Sequence, residues 1–138
     1  MIASAVEAAR GLGVVVTVAV VDSGGFLVGV ERMTGARPLT PRIAIAKAYS
    51  ASLMERPTSD LRDWQSRDPG LFAQVGRMGE HPIVAAEGGL PIRLDGHILG
   101  GIGVAGAAPA HDQEIAEAAL TAAGYELVFD VWPTPPQR

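Results

Sequence analysis

The sequence contains no cysteine, few aromatic residues and few charges. The absence of cysteine excludes disulfide scaffolds, thiolate chemistry, iron–sulfur clusters and zinc sites built on cysteine. Aromatic residues make up 5% of the chain and charged residues 19%, whereas 48% of it is hydrophobic. This composition predicts a folded protein whose core consists of small aliphatic side chains. The net charge of −4 argues against a protein that tracks DNA or RNA, since such proteins carry a basic surface.

Long hydrophobic runs are also missing. The most apolar stretch, Val14–Val21, is far too short to span a bilayer, so no membrane partner is expected. The N-terminal segment does not have the pattern of a signal peptide, because Glu7 precedes the first basic residue, Arg10. These features predict a cytoplasmic protein. A length of 138 residues predicts one domain over residues 1–138, with a proline-rich tail at residues 131–138.

Turn signals divide the chain into helices and short strands. An Asp-Ser-Gly-Gly turn and an Asp-Gly turn each predict a hairpin, and such short connections join antiparallel strands. Apolar spacing and capping residues predict the helices. The sequence therefore predicts an α+β fold with a five-stranded antiparallel sheet flanked by helices. The predicted strands are Val14–Val21, Phe26–Glu31, Ile83–Ala86, Leu90–Leu94 and His97–Val104, and the main predicted helices are Ile2–Arg10, Thr40–Met54 and Asp112–Ala123.

The last predicted strand contains three glycines between Ile98 and Val104. Glycines weaken a strand, so they imply that another element packs directly on its backbone. A surface rich in glycine and alanine, together with the proline-rich tail, predicts that the protein forms a homo-oligomer.

Several polar residues are candidates for a ligand site. His81 precedes Pro82 and lies six residues before Glu87, which makes His81 a candidate proton carrier or axial metal ligand; the alternative is a surface histidine. The three histidines have no metal-motif spacing, so no dedicated metal site is predicted. Arg32, Arg42 and Lys47 could converge on an anionic ligand, or each could be a solvated base or part of an ion pair.

Acidic residues and glycines complete the candidate site. Asp22 ends a strand at a turn, where a carboxylate commonly accepts backbone N–H bonds. Asp22 or Glu87 could act as a general base if it were buried. The backbone N–H groups of Gly88 and Gly89 could face a ligand oxygen, or the two glycines could simply form a turn.

Four segments together resemble a known family. They read VVDSGGFLVGVERMTGA, IAIAKAYSA, GGLPIRLDGHILGGIGVAGA and DQEIAEAAL. On these segments the chain resembles the GlcG/HbpS family, also called haem-degrading or DUF336, which includes the C-terminal domain of PduO-type proteins. The resemblance implies a five-stranded antiparallel sheet flanked by helices, and an oligomer. Residues that match the recurrent family pattern include Asp22, Arg32, Lys47, Gly88 and Gly89.

The resemblance defines the fold closely but leaves more than one function open. Some members bind haem, which implies a haem- or tetrapyrrole-binding protein in haem handling or redox sensing, with His81 as the candidate axial ligand. Two alternatives stay open. The first is an enzyme of organic-acid catabolism, either a hydrolase, a lyase, an isomerase or a deaminase, with Glu87 and His81 as catalytic residues and Arg32 and Lys47 as ligand-binding residues. The second is an accessory oligomer without catalysis.

Overall fold

The computed structural model describes residues 1–129. The strands are β1 (Thr17–Asp22), β2 (Leu27–Arg32), β3 (Gly89–Leu94) and β4 (His97–Ala105), and the helices are α1 (Ile2–Leu12), α2 (Thr40–Met54), α3 (Leu61–Arg67), α4 (Pro69–Val75) and α5 (Pro109–Ala122). The four strands are antiparallel and form one sheet in the order β2-β1-β4-β3. A short 3₁₀ turn at Thr58–Asp60 precedes α3.

The two faces of the sheet have different cores. The face toward α1 and α5 carries branched aliphatic side chains such as Val18, Ile102 and Val104, all fully buried. The opposite face packs on α2 through small residues, including Ala19 and Ala48. This division follows from the alternation of side chains along a strand.

Glycines allow α2 to contact the backbone of β4 directly. A Cβ atom at Gly103 would overlap the carbonyl oxygen of Ala44, and one at Gly101 would overlap that of Ala48. The prediction that an element packs on the glycine-rich strand is therefore confirmed. That element is α2 of the same chain, so this face of the strand is not available to another subunit.

The α+β fold is as predicted, but the sheet formed by residues 1–129 has four strands instead of five. The expected strand Ile83–Ala86 is absent because side chains from other elements bind its backbone. Val84 N–H donates to Ser50 Oγ (2.9 Å), and the carbonyl of Ala86 accepts from the Thr58 hydroxyl. Because these backbone groups already have hydrogen-bond partners, they do not need to pair with a neighbouring strand. The proline-rich tail, residues 131–138, lies outside the described residues.

None of the helices within residues 1–129 has the length and apolarity needed to cross a membrane.

Candidate functional site

Two cavities lie along α2, and residues of the segment 81–86 line both of them. The first has a volume of about 450 Å³ and the second about 390 Å³, and both are lined by Leu39, Ile43 and Val84. We call the two together the α2 groove, with the first and second cavities as its two parts. The first part is further lined by Arg42, Ile45, Ala46, His81 and Pro82, and the second by Arg37, Thr40, Lys47, Ala86, Ala105, Gly106, Ala107, Pro109 and Asp112.

His81 is held at one end of the α2 groove by aromatic packing. Its ring meets that of Tyr49 edge-on, with 5.1 Å between ring centroids and 74° between planes. Tyr49 is buried on α2, and its hydroxyl accepts a hydrogen bond from the backbone N–H of Glu80 at 3.1 Å. These contacts hold a partly exposed imidazole in a cavity whose lining also includes Ala46 and Pro82. An imidazole so placed can ligate a metal or transfer a proton.

Lys47 and Asp112 form a buried ion pair at the other end of the groove. Lys47 Nζ lies 3.2 Å from Asp112 Oδ2 and donates to the carbonyl of Val104 at 2.9 Å. Asp112 Oδ1 accepts from Ala107 N–H at 3.0 Å. Only 6% of the Lys47 side chain and 4% of the Asp112 side chain are exposed. The pair thus connects α2, β4 and α5 in the interior.

Burial favours the neutral forms of both partners. It lowers the pKa of Lys47 from its ordinary 10.5, although the carboxylate of Asp112 acts in the opposite direction. It raises the pKa of Asp112 from its ordinary 3.8, although the ammonium of Lys47 acts against this shift. Removing charge from water is costly, and one ion pair offsets this cost only in part.

Glu87 and the two glycines lie beside this pair. The Glu87 carboxylate is 32% exposed and 3.9 Å from Arg62 Nη1, and its charge acts on Lys47. Gly88 N–H donates to Gln113 Oε1 at 3.1 Å, and Gly89 N–H donates to Thr58 Oγ1 at 2.9 Å. Both glycine amides are therefore bonded within the chain, and a ligand role for them stays a prediction.

The geometry separates Arg32 and Asp22 from the α2 groove. Arg32 Nη1 donates to the carbonyl of Ala36 at 2.8 Å and lines a different cavity of about 350 Å³ next to α1. Asp22 Oδ1 accepts from the N–H groups of Gly24 (2.9 Å) and Phe26 (3.0 Å). The structure thus places Lys47 and His81 in the α2 groove, with the charge of Glu87 close enough to act on Lys47. It places Arg32 and Asp22 elsewhere.

Sequence reasoning missed two contributors to the groove. From the sequence, Asp112 is placed only at the start of a predicted helix, yet it is the partner of Lys47. Arg37 lies in a loop and lines the same part of the groove as Lys47. One signal was available for the first: Lys47 is the only lysine in a chain with 11 basic residues. A single lysine among arginines indicates a position where lysine cannot simply be exchanged for arginine.

Comparison with known proteins identifies the family. The family model described as "haem degrading protein HbpS-like" matches residues 1–121. The chain belongs to the HbpS-like family. The resemblance inferred from the four sequence segments is thereby confirmed.

Individual HbpS-like relatives support this assignment. An uncharacterised 15.0 kDa protein of Citrobacter freundii, from the dhaT–dhaS intergenic region, is 34% identical over 86% of this chain and 83% of its own length. The corrinoid adenosyltransferase PduO of Salmonella typhimurium is 31% identical over 86% of this chain. This chain spans only 35% of the length of PduO.

Two solved structures share the HbpS-like fold. A crystal structure of a PduOC–haem complex has a TM-score of 0.82 and 30% identity, covering 90% of this chain and 89% of the other. A double mutant of HbpS from Streptomyces reticuli has a TM-score of 0.80 and 35% identity, covering 89% of this chain and 81% of the other. These matches confirm the α+β architecture.

Proposed function

We propose that this protein binds haem or a related tetrapyrrole in the α2 groove. The observation that carries the proposal is the combination of an apolar groove with one histidine and two arginines on its walls. The solved PduOC relative, which has the same fold, was crystallised with haem. If the protein binds haem in this way, its role is in haem handling or redox sensing.

The groove residues fit the chemistry of haem. The apolar side chains of Ile43, Pro82 and Val84 suit the faces of a macrocycle, and the imidazole of His81 would hold the iron. The guanidinium groups of Arg37 and Arg42 suit the two propionates. Bound haem would supply an iron centre capable of electron transfer. Tyr49 would keep the His81 ring oriented, as a supporting partner does for a metal ligand.

A titration with hemin tests this proposal. Wild-type protein should shift the Soret band of hemin, and binding should saturate at one hemin per chain. His81→Ala should weaken hemin binding at least about tenfold, because losing even a supporting partner of a metal ligand costs about 10- to 100-fold. His97→Ala is the matched control, since His97 is exposed at the start of β4. No Soret shift at stoichiometric hemin would overturn the proposal, and equal affinities of wild type and His81→Ala would remove His81 as ligand.

We also propose that the protein is a homo-oligomer. An exposed apolar patch on and before the edge strand β2 supports this. Phe26 and Val28 are 70% and 68% exposed, and Leu27 and Val30 are also exposed. Within residues 1–129 no strand pairs with the outer edge of β2, and an apolar patch at such an edge favours association with another chain. A cytoplasmic location stays a prediction from the sequence.

A further inference from the structure

The chain uses arginine for every basic position except one. Lys47 is its single lysine, and it is buried instead of solvated. Arginine stays protonated under all ordinary conditions, whereas a lysine can lose its proton and become a nucleophile. A structural ion pair does not require lysine, because arginine is better suited to buried ion pairs.

The surroundings of Lys47 leave room for a reaction partner. Its ammonium group has three donors, and within residues 1–129 two of them bond to Val104 and Asp112. Gly88 lies beside the amine, where a Cβ atom would come within 3.0 Å of Nζ. Lys47 also lines the part of the α2 groove that has a volume of about 390 Å³. Lys47 is therefore a buried residue that borders a cavity large enough to hold a small molecule.

Arg37 supplies a second recognition element in that cavity. Its guanidinium can bind a carboxylate through two parallel hydrogen bonds. A molecule with a carboxylate and a carbonyl group would match an arginine and an amine in one cavity. Small oxo acids have this combination.

We propose that Lys47 forms an imine with a small oxo acid, with Asp112 as the group that accepts and returns the proton. This activity goes beyond haem binding. Its reacting groups, Lys47 and Asp112, lie at the opposite end of the groove from His81, and it shares Arg37 with the proposed haem site.

The proposed reaction balances without another reagent. The Lys47 ammonium gives a proton to Asp112 Oδ2, 3.2 Å away, and becomes an amine. The amine attacks the carbonyl carbon, forming a C–N bond, and an amine proton moves to the former carbonyl oxygen. Asp112 then returns its proton to the resulting hydroxyl, the C–O bond breaks, and water leaves. The product is a protonated imine beside the Asp112 carboxylate. The lowered pKa of Lys47 and the raised pKa of Asp112 both favour the first transfer.

Reductive trapping tests the proposal on the wild-type protein. The folded chain is incubated with pyruvate or glyoxylate and borohydride, and the adduct is located by peptide mass spectrometry. Lys47 is the only lysine in the sequence, and the α-amino group at Met1 of the chain used in the experiment is the reference amine. We expect the adduct at Lys47 to form at least about tenfold faster than at Met1, because a bound and oriented carbonyl reacts with a large effective molarity. An adduct confined to Met1, or a rate at Lys47 no higher than at Met1, would overturn the proposal.

Two variants separate the roles. Asp112→Asn should slow trapping at Lys47 about 100-fold, the lower range for loss of a general acid–base group. Lys47→Arg should abolish the internal adduct while the adduct at Met1 persists. Unchanged trapping at Lys47 in Asp112→Asn, with a native circular dichroism spectrum, would overturn the role of Asp112. Because hemin titration is measured separately, failure of imine formation and failure of haem binding are distinguishable.

Discussion

Asp22 shows how a single carboxylate fixes a turn. Its Oδ1 atom accepts from the N–H groups of Gly24 and Phe26, which closes the connection between β1 and β2. Asp22→Ala removes both bonds and should lower the free energy of unfolding by about 1–2 kcal/mol. Urea denaturation of the two proteins measures the difference.

Asp22→Asn provides the control for this prediction, because an amide oxygen can accept the same two hydrogen bonds. It should retain most of the wild-type stability. Equal losses in the alanine and asparagine variants would show that the negative charge, and not the turn geometry, is what stabilises the protein.

The sequence predicted the role of Asp22 because the turn is local. It did not predict the partner of Lys47, because Lys47 and Asp112 are 65 residues apart and meet only after α2 and α5 pack on β4. The same reason explains Arg32, which was expected near Lys47. In the sheet, β1 separates β2 from β4. Arg32, the last residue of β2, therefore lies outside the α2 groove.

At the scale of elements, the close contact between α2 and β4 depends on the glycines of β4, which have a hydrogen atom where other residues have a side chain. Gly103→Ala places a Cβ atom against the carbonyl of Ala44 and should lower the free energy of unfolding by about 3 kcal/mol or more, because neither backbone can move aside cheaply. Gly11→Ala is the matched control. Apart from its chain neighbours and the backbone of α1 itself, no described atom lies within 4 Å of its Cβ position, so this change should stabilise the chain by about 0.5–1 kcal/mol.

Thermal unfolding of both glycine variants checks this prediction. If Gly103→Ala melted at the wild-type temperature, the helix would not contact the strand as closely as described. A destabilised Gly11→Ala would show that the helix propensity argument does not hold at this end of α1.

Most elements were predictable because each has a local signal. Pro41 after Thr40 marks the start of α2, and the Asp95–Gly96 pair marks the hairpin between β3 and β4. Ile83–Ala86 had the same apolar character as a strand but forms none. Its backbone is bound by the side chains of Ser50 and Thr58, contacts that no local pattern contains.

At the scale of the whole molecule, the apolar patch at β2 makes a prediction about assembly. Wild-type protein should be larger than its 14.3 kDa chain in light scattering at micromolar concentration. Leu27→Lys places a charge in the patch, where Leu27 is 52% exposed, and should shift the particle mass toward the single chain. The cost of burying an unpaired charge at an interface is the reason.

Leu71→Lys makes the same chemical change on α4, where Leu71 is 46% exposed outside the patch, and should leave the mass unchanged. A wild-type mass of 14.3 kDa would contradict the proposed oligomer. Equal effects of the two substitutions would show that the patch at β2 is not the contact.

The unequal faces of the sheet have a consequence for temperature. Burial of apolar side chains stabilises less as water is cooled, because this driving force is entropic near 25 °C. The face toward α1 and α5 depends on such burial, through residues such as Leu90 and Ile115. The face toward α2 joins two backbones through glycine and alanine and buries few large side chains. Cooling should therefore loosen the α1 and α5 side before it loosens α2, so that the helix lining the groove is the part least sensitive to cold.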